Sequence, residues 1–192
     1  SKAAPRAPMA EVAPVVRRPV EIQPDEWYPE LGIRSFGKGT FHKDPVKGSE
    51  VGSKRLFHIE PGDLLFSNVF SWEGAIAVVQ PADRGRFGSH RFITCVPDPK
   101  RATAQFLCYW FLSDEGLTNI RAASPGAAGR NKTLGIRKLE AIEVPLPPIG
   151  EQHEFGKLIN ATQRARMAHQ QTATSVEALM PALLDQAFRG EI

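Results

Sequence analysis

Three short stretches set cations among glycines and hydroxyl residues, and their chemistry suits contact with phosphates and base edges rather than bond making. In Gly32-Ile33-Arg34-Ser35-Phe36-Gly37-Lys38-Gly39, two cations stand among three glycines. Glycine lets a backbone approach a phosphate closely, and Arg34 or Lys38 can neutralise its charge. The same residues also suit a strand ending in a glycine turn. This is not a phosphate-binding P-loop, because Gly39 follows Lys38 where a hydroxyl residue would open a helix. His42 and Lys43 continue the stretch as candidate DNA contacts, and Lys43, Lys47, Lys54 and Arg55 read as backbone contacts at most. A second cluster is Arg84, Arg86, Ser89, His90 and Arg91, with Gly85 and Gly88 between them. On a loop these could reach a major groove, where Arg reads guanine with two hydrogen bonds. A solvated hairpin turn is the plain alternative. The third cluster is Arg130, Asn131 and Lys132 after a run of small residues; Asn suits adenine and Arg suits guanine, although a solvated loop has the same composition.

Covalent chemistry finds little support. An amino-methyltransferase needs Asn or Asp before Pro-Pro and an aromatic after it, whereas Pro147-Pro148 is flanked by Leu146 and Ile149. Pro97-Asp98-Pro99-Lys100 lacks the companion Glu-x-Lys of a magnesium nuclease. No Gly-x-Ser-x-Gly elbow occurs, and His42, His58, His90, His153 and His169 lack metal-ligand spacing, so neither a metal nor a cofactor is expected. Trp72-Glu73-Gly74 invites a stacking or catalytic reading, but a packed indole at a strand end followed by a turn is preferred. Phe106, Tyr109, Trp110 and Phe111 read as helical core. Cys95 and Cys108 sit in apolar surroundings and read as buried, reduced thiols of a cytosolic protein.

The elements that must position these residues follow from composition along the 192-residue chain, of which 42% is hydrophobic. No run of about 18 apolar residues suggests a membrane span, and the N-terminus has no apolar core of a secretory signal. The net charge of +3 is modest. Residues 25–148 carry sixteen basic and fourteen acidic side chains, so any nucleic-acid contact must come from local clustering. Residues 1–24 hold five prolines, which should block helix and sheet and leave a linker or extended arm.

From 25 to 148, short apolar runs bounded by Gly, Pro and Asp predict strands over Leu31–Phe36, Arg55–Ile59, Asp63–Phe70, Ala75–Gln80 and Phe92–Val96. Ala102–Ser113 has helical length. The expected fold is α+β, a curved and mostly antiparallel sheet with packed helices. From 149 to 192 the chain predicts a long helical segment, whose Glu151–Phe188 stretch would form one helix of roughly 55 Å at 1.5 Å per residue. Leu158, Ala165, Thr172 and Leu179 recur at sevens, as do Thr162, His169, Val176 and Leu183, which is a pairing seam. Pro181 should break or kink its last two turns.

Three segments resemble the specificity subunits of type I restriction-modification enzymes. The first runs from Gly32 to Lys43, followed by Pro61-Gly62-Asp63-Leu64 and Trp72-Glu73-Gly74-Ala75. The second is Val144-Pro145-Leu146-Pro147-Pro148-Ile149-Gly150-Glu151-Gln152, similar to the junction between recognition domain and spacer helix. The third is the ending, Leu183-Leu184-Asp185-Gln186-Ala187-Phe188-Arg189-Gly190-Glu191-Ile192.

The resemblance implies a non-catalytic, cytoplasmic reader of double-stranded DNA. It also implies docking of methyltransferase subunits, recruitment of a restriction subunit, and two antiparallel helices that measure the gap in a split target. Such subunits usually carry two recognition domains, each followed by a long helix. With one of each, this chain reads as a C-terminal half or as a short form that pairs with itself. Two rival expectations remain: a helix-mediated interaction module without DNA binding, and a small nuclease or hydrolase using Glu73, His90 or Asp98.

Overall fold

Leu64, Leu65 and Phe66 are wholly buried, and the architecture is built around them. The computed structural model describes residues 4–126 and 132–189, without the side chains of residues 178, 182 and 183. In chain order the elements are β1 (Arg6–Pro8), α1 (Met9–Val12), β2 (Val15–Val16), β3 (Trp27–Ile33), β4 (Thr40–Lys47), β5 (Leu56–His58), β6 (Leu64–Ser67), β7 (Ile76–Val78), β8 (Phe87–Ser89), β9 (Phe92–Cys95), α2 (Ala104–Phe111), α3 (Asp114–Ala123), α4 (Ile136–Glu140), β10 (Glu143–Pro145) and α5 (Ile149–Phe188). They fall into two units, one ending at Gln152 and one beginning at His153.

In the first unit, one sheet has the order β2-β9-β6-β7 and a second has β4-β3-β8-β5, while β1 pairs with β10. Every ladder is antiparallel except β3 with β8. The α+β expectation is therefore met. Alternation along β6 explains the layering: Leu64 and Phe66 join the large core beneath the helices, and Leu65 joins Leu31, Ile59 and Val79 on the other face. Phe111 of α2 meets Phe66 edge-on at 5.0 Å. Thr103 caps α2 by accepting from the Phe106 amide at 3.1 Å. Ser113 likewise caps α3, whose first turn holds Asp114 and Glu115 and whose last turn holds Arg121, as the helix dipole favours.

Residues 1–24 require a correction. From Arg6 onward the supposed arm is part of the body: β1 and β2 pair with β10 and β9, and Met9, Val12 and Ala13 are buried in the main core. The prolines sit where no ladder amide is needed, at the end of β1 (Pro8), just before β2 (Pro14) and in a lone bridge to Phe57 (Pro19). Arg18 holds the segment down, its guanidinium meeting the buried Asp63 carboxylate at 2.6 and 3.2 Å. That hydrogen bond is the largest influence on Arg18 and raises its pKa further.

The expected strands at 55–59, 63–70, 75–80 and 92–96 appear in shortened form, and the one at 31–36 is shifted back to Trp27–Ile33. Neither β4 nor β8 was anticipated. Phe41-His42-Lys43-Asp44-Pro45 looks like a polar loop because β4 is a sheet edge, where charge and proline are tolerated. Pro29 stands opposite Pro45, next to a register shift in the β3–β4 ladder.

Gln152 closes the first unit. Its side chain is buried, donates to the carbonyls of Arg101 (3.0 Å) and Pro147 (2.9 Å), and accepts from the Thr103 amide at 2.9 Å. Helix α5 spans 40 residues, about 60 Å. It stays helical through Pro181 to Phe188, so of the expected break or kink the break does not occur. Proline there removes the hydrogen bond to the carbonyl four residues earlier, and on an exposed helix water can take that place. Leu158, Val176 and Leu179 of the expected seam are all more than half exposed on the single chain. The Leu183 side chain lies outside the described residues. Among the described residues, no helix is long and apolar enough to cross a membrane.

Candidate nucleic-acid interface

The turn between β3 and β4 carries the first cation cluster. Its neck is closed by the Arg34 amide donating to the Gly39 carbonyl at 2.9 Å. Its tip is docked on the 71–74 turn: the Phe36 amide donates to Glu73 O at 2.8 Å and the Gly37 amide to Gly74 O at 2.9 Å. Gly37 has φ +64°, and a Cβ there would stand 2.9 Å from Leu112 Cδ1, so both backbone sign and space call for glycine. Phe36 shares the left-handed conformation (φ 62°), and its ring projects into solvent, 74% exposed. Lys38 Nζ lies 6.0 Å from that ring. Arg34 stacks 4.8 Å over Phe41 and donates to the Thr40 carbonyl at 2.8 Å.

Asp83 brings the second cluster to the first. Its carboxylate, 2% exposed, accepts from Thr40 Oγ1 at 3.0 Å and from the Gln80 amide at 2.9 Å, and meets His42 Nε2 at 2.9 Å. Arg86 adds a clasp by donating to the carbonyls of Glu30 (3.3 Å) and Lys43 (3.2 Å). Lys43 in turn pairs with Glu30 at 3.3 Å. Arg86 and His42 thus hold protein groups together, while the side chains of Arg84, His90 and Arg91 are exposed. Ser89 Oγ accepts from the Arg91 amide at 3.2 Å. Lys54 stands two residues before β5, whose Leu56 pairs with Ser89 of the second cluster.

Of the third cluster, Arg130 and Asn131 lie outside the described residues. Lys132 sits 4.8 Å over the Trp72 ring. Trp72 donates its indole N–H to Val69 O at 2.9 Å, and Gly74 turns with φ 78°, which matches the structural reading of Trp72-Glu73-Gly74. Between this turn and helices α2 and α3 lies an open cleft of about 760 Å³, lined by Phe36, Trp72, Tyr109, Arg121 and Lys132 among others. Phe111 is core as expected, but Tyr109 faces this cleft.

The first two clusters therefore meet through Asp83, and the 71–74 turn joins the first to Lys132. Sequence reasoning missed Asp83, Arg121 and the projecting Phe36. The left-handed pair at 36–37 was hinted at only by the glycines around it.

Catalytic groupings are sparse by comparison. Glu73 accepts from Ser35 Oγ at 3.3 Å, Asp98 accepts from the Lys100 amide at 2.9 Å, and no hydrogen bond joins Glu73, His90 and Asp98. Among the described residues, no three His, Cys, Asp or Glu side chains gather as metal ligands. Cys95 and Cys108 are buried, unpaired thiols. Burial pushes both up to about 12, with Glu140 and Asp63 adding to the effect on Cys95.

No protein-family model and no curated protein matches the chain. Solved structures do match in fold. The HsdS subunit from Thermoanaerobacter tengcongensis superposes with TM-score 0.71 at 20% identity, over 91% of this chain and 46% of that one. A chain from work on complex assembly and conformational transition of the type I R-M system matches with TM-score 0.71 and 20% identity, over the same shares. The chain thus spans about half the length of the solved chains it matches, and it has the fold of an HsdS subunit over that half.

Proposed function

We propose that this chain recognises duplex DNA as one half of a type I restriction-modification specificity subunit. The observation that carries this reading is the fold likeness over 91% of the chain. Arg34, Lys38, Lys43, Lys54 and Lys132 contact phosphates and set the register. Arg84, Ser89, His90 and Arg91, together with Arg130 and Asn131, read base edges. His42 and Arg86 brace the surface as well as contributing charge. Each good bidentate contact to a base discriminates by about 1–3 kcal/mol.

The chain performs no catalysis in this reading. Methyltransferase subunits dock on it, modify an adenine, and a restriction subunit joins the assembly. The seam along α5 pairs with a second copy or with another specificity half through Leu158, Thr162, Ala165, His169, Thr172, Val176, Leu179 and Leu183. That pairing sets the distance between the two parts of a split target. The exposed apolar positions of the seam support a partner helix, since an isolated helix of this kind gains nothing from leaving them in water.

The test is selection from a random duplex library by the protein purified with its methyltransferase. A split motif should emerge, with affinity that falls steeply as salt rises. Removing two heptads from α5 should shorten the preferred gap. Absence of any base preference would overturn DNA recognition and leave a helix-mediated interaction module.

A further inference from the structure

Resting on the DNA-recognition reading, we propose that Phe36 is a wedge that inserts between two adjacent base pairs and unstacks them. An aromatic ring 74% exposed at the tip of a turn has no role in holding the fold, since it buries little against the body. Its backbone makes the position more unusual. Among the described residues, Phe36 is the one non-glycine residue with positive φ, in a region where a bulky side chain is strained. Such strain persists only where the surroundings impose it, and it concentrates at functional sites.

Here the surroundings are explicit. Two backbone hydrogen bonds, from Phe36 to Glu73 O and from Gly37 to Gly74 O, dock the tip on a second turn. Leu112 fills the space behind Gly37. The ring is therefore presented by a braced support rather than by a loose loop, which lowers the entropic cost of driving it into a base stack.

The charge around the ring fits the same occupant. Lys38 Nζ is 6.0 Å from it, and Arg34 is held over Phe41 on the same turn. Across the cleft, Lys132 lies over Trp72, and Arg121 lines the wall. Cations near an apolar wedge can meet the phosphates that flank an opened step. Apolar side chains such as Phe and Leu kink duplexes this way in architectural DNA-binding proteins. Flexible pyrimidine–purine steps open most easily, so the wedge adds specificity at a position that no side chain reads by hydrogen bonding.

The test uses the preparation and target from the library selection. 2-Aminopurine is placed at successive positions of the target duplex, and its fluorescence reports unstacking. One position, in a pyrimidine–purine step, should brighten several-fold on binding. Phe36→Gly should abolish that rise and leave the melting temperature equal or higher, because glycine accepts φ 62° without strain. Phe36→Leu should retain part of it. If the protein selects a motif but no step brightens, or if Phe36→Gly brightens it equally, the wedge is wrong and DNA recognition stands. If no duplex is preferred at all, both readings fall.

Discussion

Asp83 offers the sharpest test of how the candidate interface is held together, because one buried carboxylate serves three partners from two segments. Replacing it with Ala removes the acceptor for the Gln80 amide, which completes a capping box at the 81–83 turn. A lost cap of this kind costs about 1 kcal/mol. The hydrogen bonds from Thr40 and His42 are each worth about 0.5–1.5 kcal/mol net. Thr40 is half-buried and the His42 side chain is 45% exposed, so water can replace part of both. The undiscounted sum is about 2–4 kcal/mol, so Asp83→Ala should cost about 2–3 kcal/mol once that replacement is counted.

Asp83→Asn keeps the volume and one acceptor oxygen, and the new amide can donate to a neutral His42 ring; about 1 kcal/mol is expected. Urea unfolding followed by circular dichroism measures both. A cycle of Asp83→Ala with His42→Ala should show coupling of about 0.5 kcal/mol or more, since the pair is in contact. The base preference of the Ala variant should fall more than its affinity for random duplex, because the Arg84–Arg91 segment would lose its register against Arg34–Lys43. Simple additivity, or an unchanged preference in a destabilised variant, would refute the idea that Asp83 assembles the surface.

Two further outcomes are expected. Arg18→Ala leaves the Asp63 carboxylate buried without its cation; breaking a buried pair costs about 3–5 kcal/mol, reduced here because the Arg18 side chain is 31% exposed. A change below about 0.5 kcal/mol in the unfolding midpoint analysis would show that residues 6–22 are not structurally committed. For the thiols, folding raises Cys95 and Cys108 from 9.0 to about 12, so the folded state keeps protons that the unfolded chain releases. Their contribution to stability is therefore intact below pH 9 and lost progressively between 9 and 12. Double replacement by Ala should flatten stability against pH across that window, and an unchanged slope would count against burial as the cause.

What the sequence alone determined lay where local pattern and burial agree. Short apolar runs bounded by turn residues located β5, β6, β7 and β9, and dense apolar positions located α2. Glu151–Phe188, almost free of glycine, announced α5. The nature of each cation cluster was also legible, because residue type is enough to say what a side chain can bind.

Tertiary structure decided the rest. Polar β4 is a strand only because β3 offers its edge, and the proline-rich start is ordered only because β9 and β10 lend their ladders and Asp63 binds Arg18. Pairing partners and buried countercharges lie dozens of residues away, so no local window contains them. The same holds for the interface: Arg34 and Arg84 stand fifty residues apart in sequence, and the buried carboxylate that brings their segments together acts through contacts that exist only in the folded chain.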